Sequence, residues 1–289
     1  MFFEKREWTL TGSEGLPLRG ATLIPPAESQ RFCAVVVHGF MGTKDRNIVP
    51  AISLRLAMMG GLVHAFNLAH CGIGADGDTM TRLDEMERDS WRFTHEDVLA
   101  VLAAIDAGEL PGAGLPFVLA GHSRGGGAVV GYAGRARREG WREPDGVVSL
   151  AGIRSYSVLT DTVRRELATK GVHTVKSKRA KGGVVRCGPS WFAEHDEPID
   201  VFEADAKHGR APVLLVHGED DDTVPPVHAA AVQEILEAGD CPGVRLAVIP
   251  DADHNFNAKG VGNEHENIHR PEVVACAEVI EAWLAADVL

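Results

Sequence analysis

Beyond Pro25-Pro26 the chain alternates between two textures. Short, continuous apolar runs occupy residues 33–37, 62–66, 117–120, 147–150, 213–216 and 245–249. Unbroken apolar character, as opposed to every-other-residue alternation, predicts strands covered on both faces, as in a parallel sheet. Between the runs lie helical patterns. Trp91, Val98, Leu102 and Ile105 share one face of a helix that Gly108 stops, and Val129, Tyr132 and Ala136 mark a second that ends by Gly140. Pro226 opens an alanine-rich third, closed by Gly239. Pro271 opens the last, with Val273, Ala277, Ile280 and Leu284 on one stripe. Upstream, residues 4–10 and 16–23 read as two strands joined by the turn Gly12-Ser13-Glu14-Gly15. The predicted fold class is α/β: a doubly wound, mostly parallel sheet with an N-terminal antiparallel hairpin.

One stretch breaks this rhythm. From 154 to 208 the alternation stops, and Lys170, Lys176, Lys178, Arg179, Lys181 and Arg186 accumulate. Residues 172–178 and 184–187 flank Gly182-Gly183 and read as a hairpin. The segment is expected to be a short lid inserted into a single domain spanning 1–289, a size that one α/β core can fill.

Net charge is −12 over 289 residues, which argues against nucleic acid or an anionic membrane surface as partner. No apolar stretch is long enough to span a bilayer, and the first ten residues lack a signal-peptide core. Five scattered cysteines without a C-x-x-C fit free thiols, so a soluble cytoplasmic protein is expected. Nothing in the pattern decides for or against a homodimer.

The 117–120 strand runs directly into Gly121-His122-Ser123-Arg124-Gly125 and then a helical pattern. This is G-x-S-x-G in the strand–turn–helix setting that gives the motif its meaning: a sharp turn lifts the serine hydroxyl out of the sheet at a helix N-terminus. A serine needs a base, and the base needs an orienting carboxylate, in the chain order Ser, Asp or Glu, His. After the 213–216 strand comes His217-Gly218-Glu219-Asp220-Asp221-Asp222-Thr223-Val224-Pro225; spacing from the glycine and from Val224-Pro225 selects Asp221. After the next strand comes Asp253-His254-Asn255-Phe256, which supplies His254 as base. The 33–37 strand ends in His38-Gly39-Phe40-Met41-Gly42, a loop able to aim a backbone N–H at a developing oxyanion. The expected donors are the N–H groups of Phe40 and Arg124, while His38 is expected to be structural.

These segments together resemble the α/β-hydrolase superfamily, and most nearly its dienelactone-hydrolase-like and cinnamoyl or feruloyl esterase branch. The resemblance covers nearly the whole chain. It implies an α/β-hydrolase fold, a Ser123–His254–Asp221 triad, a carboxylic-ester substrate and no cofactor. One departure is Asn67 at the end of the 62–66 strand, where the family often carries Asp, which puts the anchoring of the neighbouring loop in question. Acyl-thioester hydrolysis and acyl transfer use the same residues and stay open. Met41, Trp191, Phe192 and Phe256 are candidate walls of an apolar substrate pocket, ordinary core packing being the alternative. The basic run of the lid either recruits an anionic substrate or is a solvated hairpin face.

Two further motifs compete. Gly72-Ile73-Gly74-Ala75-Asp76-Gly77 matches the dinucleotide fingerprint, but no helical pattern follows, so a loop is expected. His265-Glu266-Asn267-Ile268-His269 matches H-E-x-x-H and gives a remote alternative, a zinc hydrolase. Gly260, Gly262 and Pro271 around it favour a loop entering the last helix, and no metal site is expected.

Overall fold

In the computed structural model residues 3–155, 160–195 and 201–289 are described; positions 156–159 and 196–200 of the expected lid lie outside them. The chain opens with β1 (Glu4–Thr11) and β2 (Pro17–Ile24), an antiparallel pair around a 3-10 turn. Then come β3 (Phe32–Val37), α1 (Ile48–Met58), β4 (Gly61–Asn67), α2 (Leu83–Glu87), α3 (Trp91–Asp106), β5 (Phe117–His122), α4 (Arg124–Glu139) and β6 (Gly146–Leu150). The inserted segment carries α5 (Asp161–Lys170), β7 (His173–Lys176), β8 (Val184–Cys187), a 3-10 turn (Pro189–His195) and α6 (Val201–Ala206). The chain returns through β9 (Val213–Gly218), α7 (Val227–Glu237), β10 (Val244–Ile249), α8 (Glu264–Asn267) and α9 (Pro271–Trp283).

Eight strands form one sheet in the order β1-β2-β4-β3-β5-β6-β9-β10, parallel from β4 to β10, with β2 joining β4 antiparallel. Strand β3 shows why the apolar runs are unbroken. Cys33, Val35 and Val37 enter the core shared with α3, α4 and α7, while Phe32, Ala34 and Val36 enter the core shared with α1 and α9. Helix α1 is one element that periodicity does not announce: Ile48, Val49, Ala51, Ile52, Ser53, Leu56 and Ala57 are all buried, so it has little polar stripe to mark its phase. The five cysteines are free thiols, and no helix among the described residues is long and apolar enough to cross a membrane.

The inserted segment is fastened to the body. Hairpin β7–β8 is antiparallel across Lys176↔Val184, and its turn joins the loop after β4 through Met80 N–H to the Arg179 carbonyl (2.9 Å) and Lys181 N–H to the Met80 carbonyl (3.0 Å). Helix α6 packs on α4. The basic run divides accordingly. Arg179 donates to the Met41 and Asp78 carbonyls and Arg186 pairs with Glu87 at 2.9 Å, while Lys176, Lys178 and Lys181 are exposed.

Several ionisable groups are buried by this architecture. Burial holds the imidazoles of His38 and His64 down to about 4 and those of His95 and His122 down to about 3, so all four are neutral in the native protein. Once unfolded, they take up protons below about pH 6.5, which draws the equilibrium toward the unfolded chain as pH falls from there to about 4. Asp97 acts in the opposite sense: burial pushes its carboxyl up to about 6, so below that pH the native state binds a proton that the unfolded chain refuses. Four histidines outweigh two aspartates, Asp97 and Asp89, whose carboxyl burial also raises, each group contributing a slope of at most about 1.4 kcal/mol per pH unit. Urea unfolding is therefore expected to show a lower midpoint at pH 5 than at pH 7; an equal or higher midpoint at pH 5 contradicts this assignment of charge states.

Candidate active site

Strand β5 ends at His122 and helix α4 starts at Arg124, so one residue makes the turn. That residue, Ser123, has left-handed backbone (φ 57°), a strained geometry for a side chain other than glycine. The flanking glycines are there for space. A Cβ on Gly121 would lie 2.2 Å from the Gly125 carbonyl oxygen, and one on Gly125 would lie 2.4 Å from the carbonyl oxygen of Val37. The loop after β3 passes equally close: a Cβ on Gly39 would sit 2.8 Å from that of Ser123.

The loops after β9 and β10 meet beside this turn. Of the four consecutive acids, Glu219, Asp220 and Asp222 are exposed and only Asp221 is buried. Its Oδ2 accepts from His254 Nδ1 at 2.7 Å, and its Oδ1 accepts the Val224 and Thr223 N–H groups at 2.8 and 3.0 Å. His217 Nε2 donates to the Val224 carbonyl at 2.7 Å and lies 3.3 Å from Asp221 Oδ2. Burial acts to raise the Asp221 pKa, but the bonds from His217, His254 and the Val224 N–H outweigh it, and the carboxyl ends well below the usual range. His122 Nε2 donates to the His254 carbonyl at 2.8 Å, which ties the β10 loop to β5.

Ser123 and His254 line one cavity of about 140 Å³ with Phe40, Met41, Arg46 and Asn255. The Ser123 hydroxyl makes no hydrogen bond within the described protein, and His254 Nε2 is the ring nitrogen left over once Nδ1 faces Asp221. The N–H groups of Phe40 and Arg124 likewise have no acceptor among the described residues. His38 is 2 % exposed; since it accepts the Leu68 N–H at Nε2 (3.1 Å), its proton sits on Nδ1 and is donated to the Gly39 carbonyl (2.8 Å). Asn67 Oδ1 accepts the Lys44 N–H at 2.8 Å, so an amide holds the loop end despite the departure noted in the sequence.

Other expectations need correction. Phe256 is fully buried in the core under α1 and α9 and presents no surface to a ligand. Phe192 is 7 % exposed and packs edge-on to His173. Trp191 is equally buried and faces a separate void of about 10 Å³ beneath the Phe40 loop, not the cavity holding Ser123. Core packing, the alternative weighed for these rings, describes all three; Met41 alone of the four pocket candidates borders the Ser123 cavity. A larger cavity, about 350 Å³, lies between β2 and α1 and contains none of Ser123, Asp221 or His254. In the H-E-x-x-H segment the helix ends at Asn267, His265 and His269 are exposed, and Glu266 faces Arg270 at 3.5 Å. Residues 72–77 form a loop closed by a bridge between Ile73 and Met80, with no helix before Leu83. Sequence reasoning passed over Asp89, the buried partner of the Arg124 guanidinium (2.9 Å), and the supporting role of His217. His217, four residues before Asp221, carried a signal in its spacing.

Comparison with known proteins bears on the fold. A prolyl oligopeptidase family profile matches residues 189–272. No curated protein matches the chain. Among solved structures the chain is similar to Est1E from Butyrivibrio proteoclasticus with ferulic acid bound (17 % identity, 96 % of this chain and 98 % of that one, TM-score 0.68). It is also similar to dienelactone hydrolase from Anabaena variabilis (15 %, 99 % and 99 %, 0.63). The acylaminoacyl peptidase of Pyrococcus horikoshii matches over 100 % of this chain but 42 % of its own (15 %, 0.62). The sheet order, the lone-residue turn and these likenesses establish the α/β-hydrolase fold.

The turn yields a stability test. Gly125→Ala drives a methyl group into the backbone of β3 and is expected to cost about 1–3 kcal/mol, as overpacking of a tight interior does, read as a lowered midpoint in chemical denaturation; an unchanged midpoint means the turn is looser than described.

Proposed function

We propose that the protein is a serine hydrolase of carboxylic esters, working through an acyl-enzyme. The observation that carries this reading is the 2.7 Å bond between Asp221 and His254 beside the cavity that Ser123 enters, with the acceptor-free N–H of Phe40 in its lining and that of Arg124 one residue past Ser123. In the first half-reaction Ser123 Oγ attacks the acyl carbonyl while His254 Nε2 takes the hydroxyl proton. The oxyanion so formed is held by the N–H groups of Phe40 and Arg124, and His254 returns the proton to the departing alcohol. Water then attacks the acyl-enzyme by the same proton route, releasing the carboxylic acid and restoring Ser123. Asp221 keeps the Nδ1 proton in place, so that Nε2 is the basic nitrogen. In apo enzymes the nucleophile–base contact is commonly long and tightens when substrate binds, which accommodates the unbonded Ser123 hydroxyl.

Short acyl esters and hydroxycinnamate-type esters are the proposed substrates. Support comes from the modest cavity and from the ferulic acid bound to Est1E, whose fold this chain shares. A second reading, cleavage of a peptide or acyl-amino-acid amide, is supported by the prolyl oligopeptidase match at 189–272, the stretch that contributes Asp221 and His254, and by the fold shared with the acylaminoacyl peptidase. Thioester hydrolysis or acyl transfer would change only the leaving group or acceptor.

A panel of short-chain esters, methyl hydroxycinnamates, acyl-CoAs and acylaminoacyl peptides separates these readings. Highest kcat/KM on the esters is expected. Ser123→Ala is expected to abolish turnover, and Asp221→Asn to lower kcat by about four orders of magnitude, the loss recorded for an orienting carboxylate in the best-studied serine triad. Normal ester turnover by purified Ser123→Ala refutes the proposal.

A further inference from the structure

The two proposed oxyanion donors belong to different elements: Phe40 to the loop after β3, Arg124 to the first position of α4. Their side chains nevertheless meet on one residue of the inserted segment. The Phe40 ring stands edge-on to the Trp191 indole, centroids 5.2 Å apart at 80°. The Arg124 guanidinium lies 4.4 Å from the same indole and 4.6 Å from Trp91 on α3. Asp89 closes the stack through its 2.9 Å ion pair with Arg124, with both side chains buried. Trp191 is itself fixed, its indole N–H donating to the Met86 carbonyl at 2.7 Å.

Two features show that the indole matters to Arg124. The Nε and Nη2 groups of that guanidinium are buried without a hydrogen-bond partner, so the side chain is held by one carboxylate and two ring faces. A cation between aromatic faces, away from water, is held more firmly than one at an exposed site. The void of about 10 Å³ bounded by Phe40, Trp191, Asp89 and Arg124 has room for about one water, too little for any part of an acyl chain.

On the serine-hydrolase reading above, we propose that Trp191 is a positioning residue of the oxyanion hole: its indole is the spacer that sets the Phe40 N–H against the Arg124 N–H. Two donors serve one oxyanion only when both lie about 2.7–3.1 Å from it, and a misplacement of about 1 Å costs on the order of a hundredfold in rate. Since the ring acts on the transition state and not on the acyl chain, its loss lowers kcat equally for every acyl length and leaves KM in place.

The test compares wild type, Trp191→Phe, Trp191→Ala and Ser123→Ala on p-nitrophenyl acetate, butyrate and octanoate, with a trifluoromethyl ketone as tetrahedral-adduct inhibitor. For Trp191→Ala the expectation is a fall in kcat of about 10- to 100-fold, the same for all three esters, with KM within about twofold and inhibitor affinity reduced in step with kcat. Trp191→Phe keeps a ring but loses the bond to the Met86 carbonyl; it is expected to show a smaller fall in kcat, the same for all three esters and with KM in place, and it keeps the test alive if Trp191→Ala does not fold. An effect that grows with acyl length and falls on KM makes Trp191 a substrate wall and overturns the proposal; so do unchanged kinetics in every variant that folds. Activity surviving in Ser123→Ala instead refutes the serine-hydrolase reading itself, a result distinct from either of those.

Discussion

A carboxylate cannot be taken out of water alone; the cost of several kcal/mol must be met by donors already in place. Asp221 meets this condition. Two backbone N–H groups occupy Oδ1, and His254 and His217 face Oδ2. These contacts fold the loop after β9 on itself and draw the loop after β10 against it. The bond from His122 to the His254 carbonyl then joins both to the end of β5. Strands β5, β9 and β10 are parallel, so their C-terminal ends lie along one rim of the sheet, the place where open α/β sheets build their sites. The chemistry proposed for Ser123 depends on that single buried anion being fully partnered.

The inserted segment contributes less as a cover than as a brace. Arg179 is turned inward: it reaches the Met41 carbonyl, and Met41, in left-handed backbone, directly follows Phe40. Trp191 reaches the same loop from the other side, through the Phe40 ring. The loop after β3 is thus gripped by side chains from 179 and 191, far away in sequence. The three exposed lysines of the hairpin carry the solvated part of the basic run.

Legibility in the sequence followed how local each signal was. The buried strands announced themselves because both faces of β3, β4 and β5 are covered, and the turn at Ser123 did so because Gly121 and Gly125 are dictated by contacts within a few residues of the motif or with one adjacent strand. Asp221 was separable from its acidic neighbours by spacing alone. Helix α1 escaped because burial around most of its circumference erases the amphipathic period. The aromatic residues were misread for a related reason: Trp191 and Phe192 lie in the inserted segment and Phe256 just past His254, but only the packed chain decides whether a ring faces a cavity or the core. Asp89 and Arg124, 35 residues apart, were beyond any local pattern.

The central claim is that Ser123, and no other residue, is the activated nucleophile. It is tested most directly by incubating the whole protein with a fluorophosphonate, which phosphonylates an activated serine with loss of fluoride, and mapping the adduct by peptide mass spectrometry. Stoichiometric labelling confined to the peptide bearing Ser123 is expected, with its loss on acid denaturation before treatment. Labelling elsewhere, or no labelling of the native protein, would contradict it.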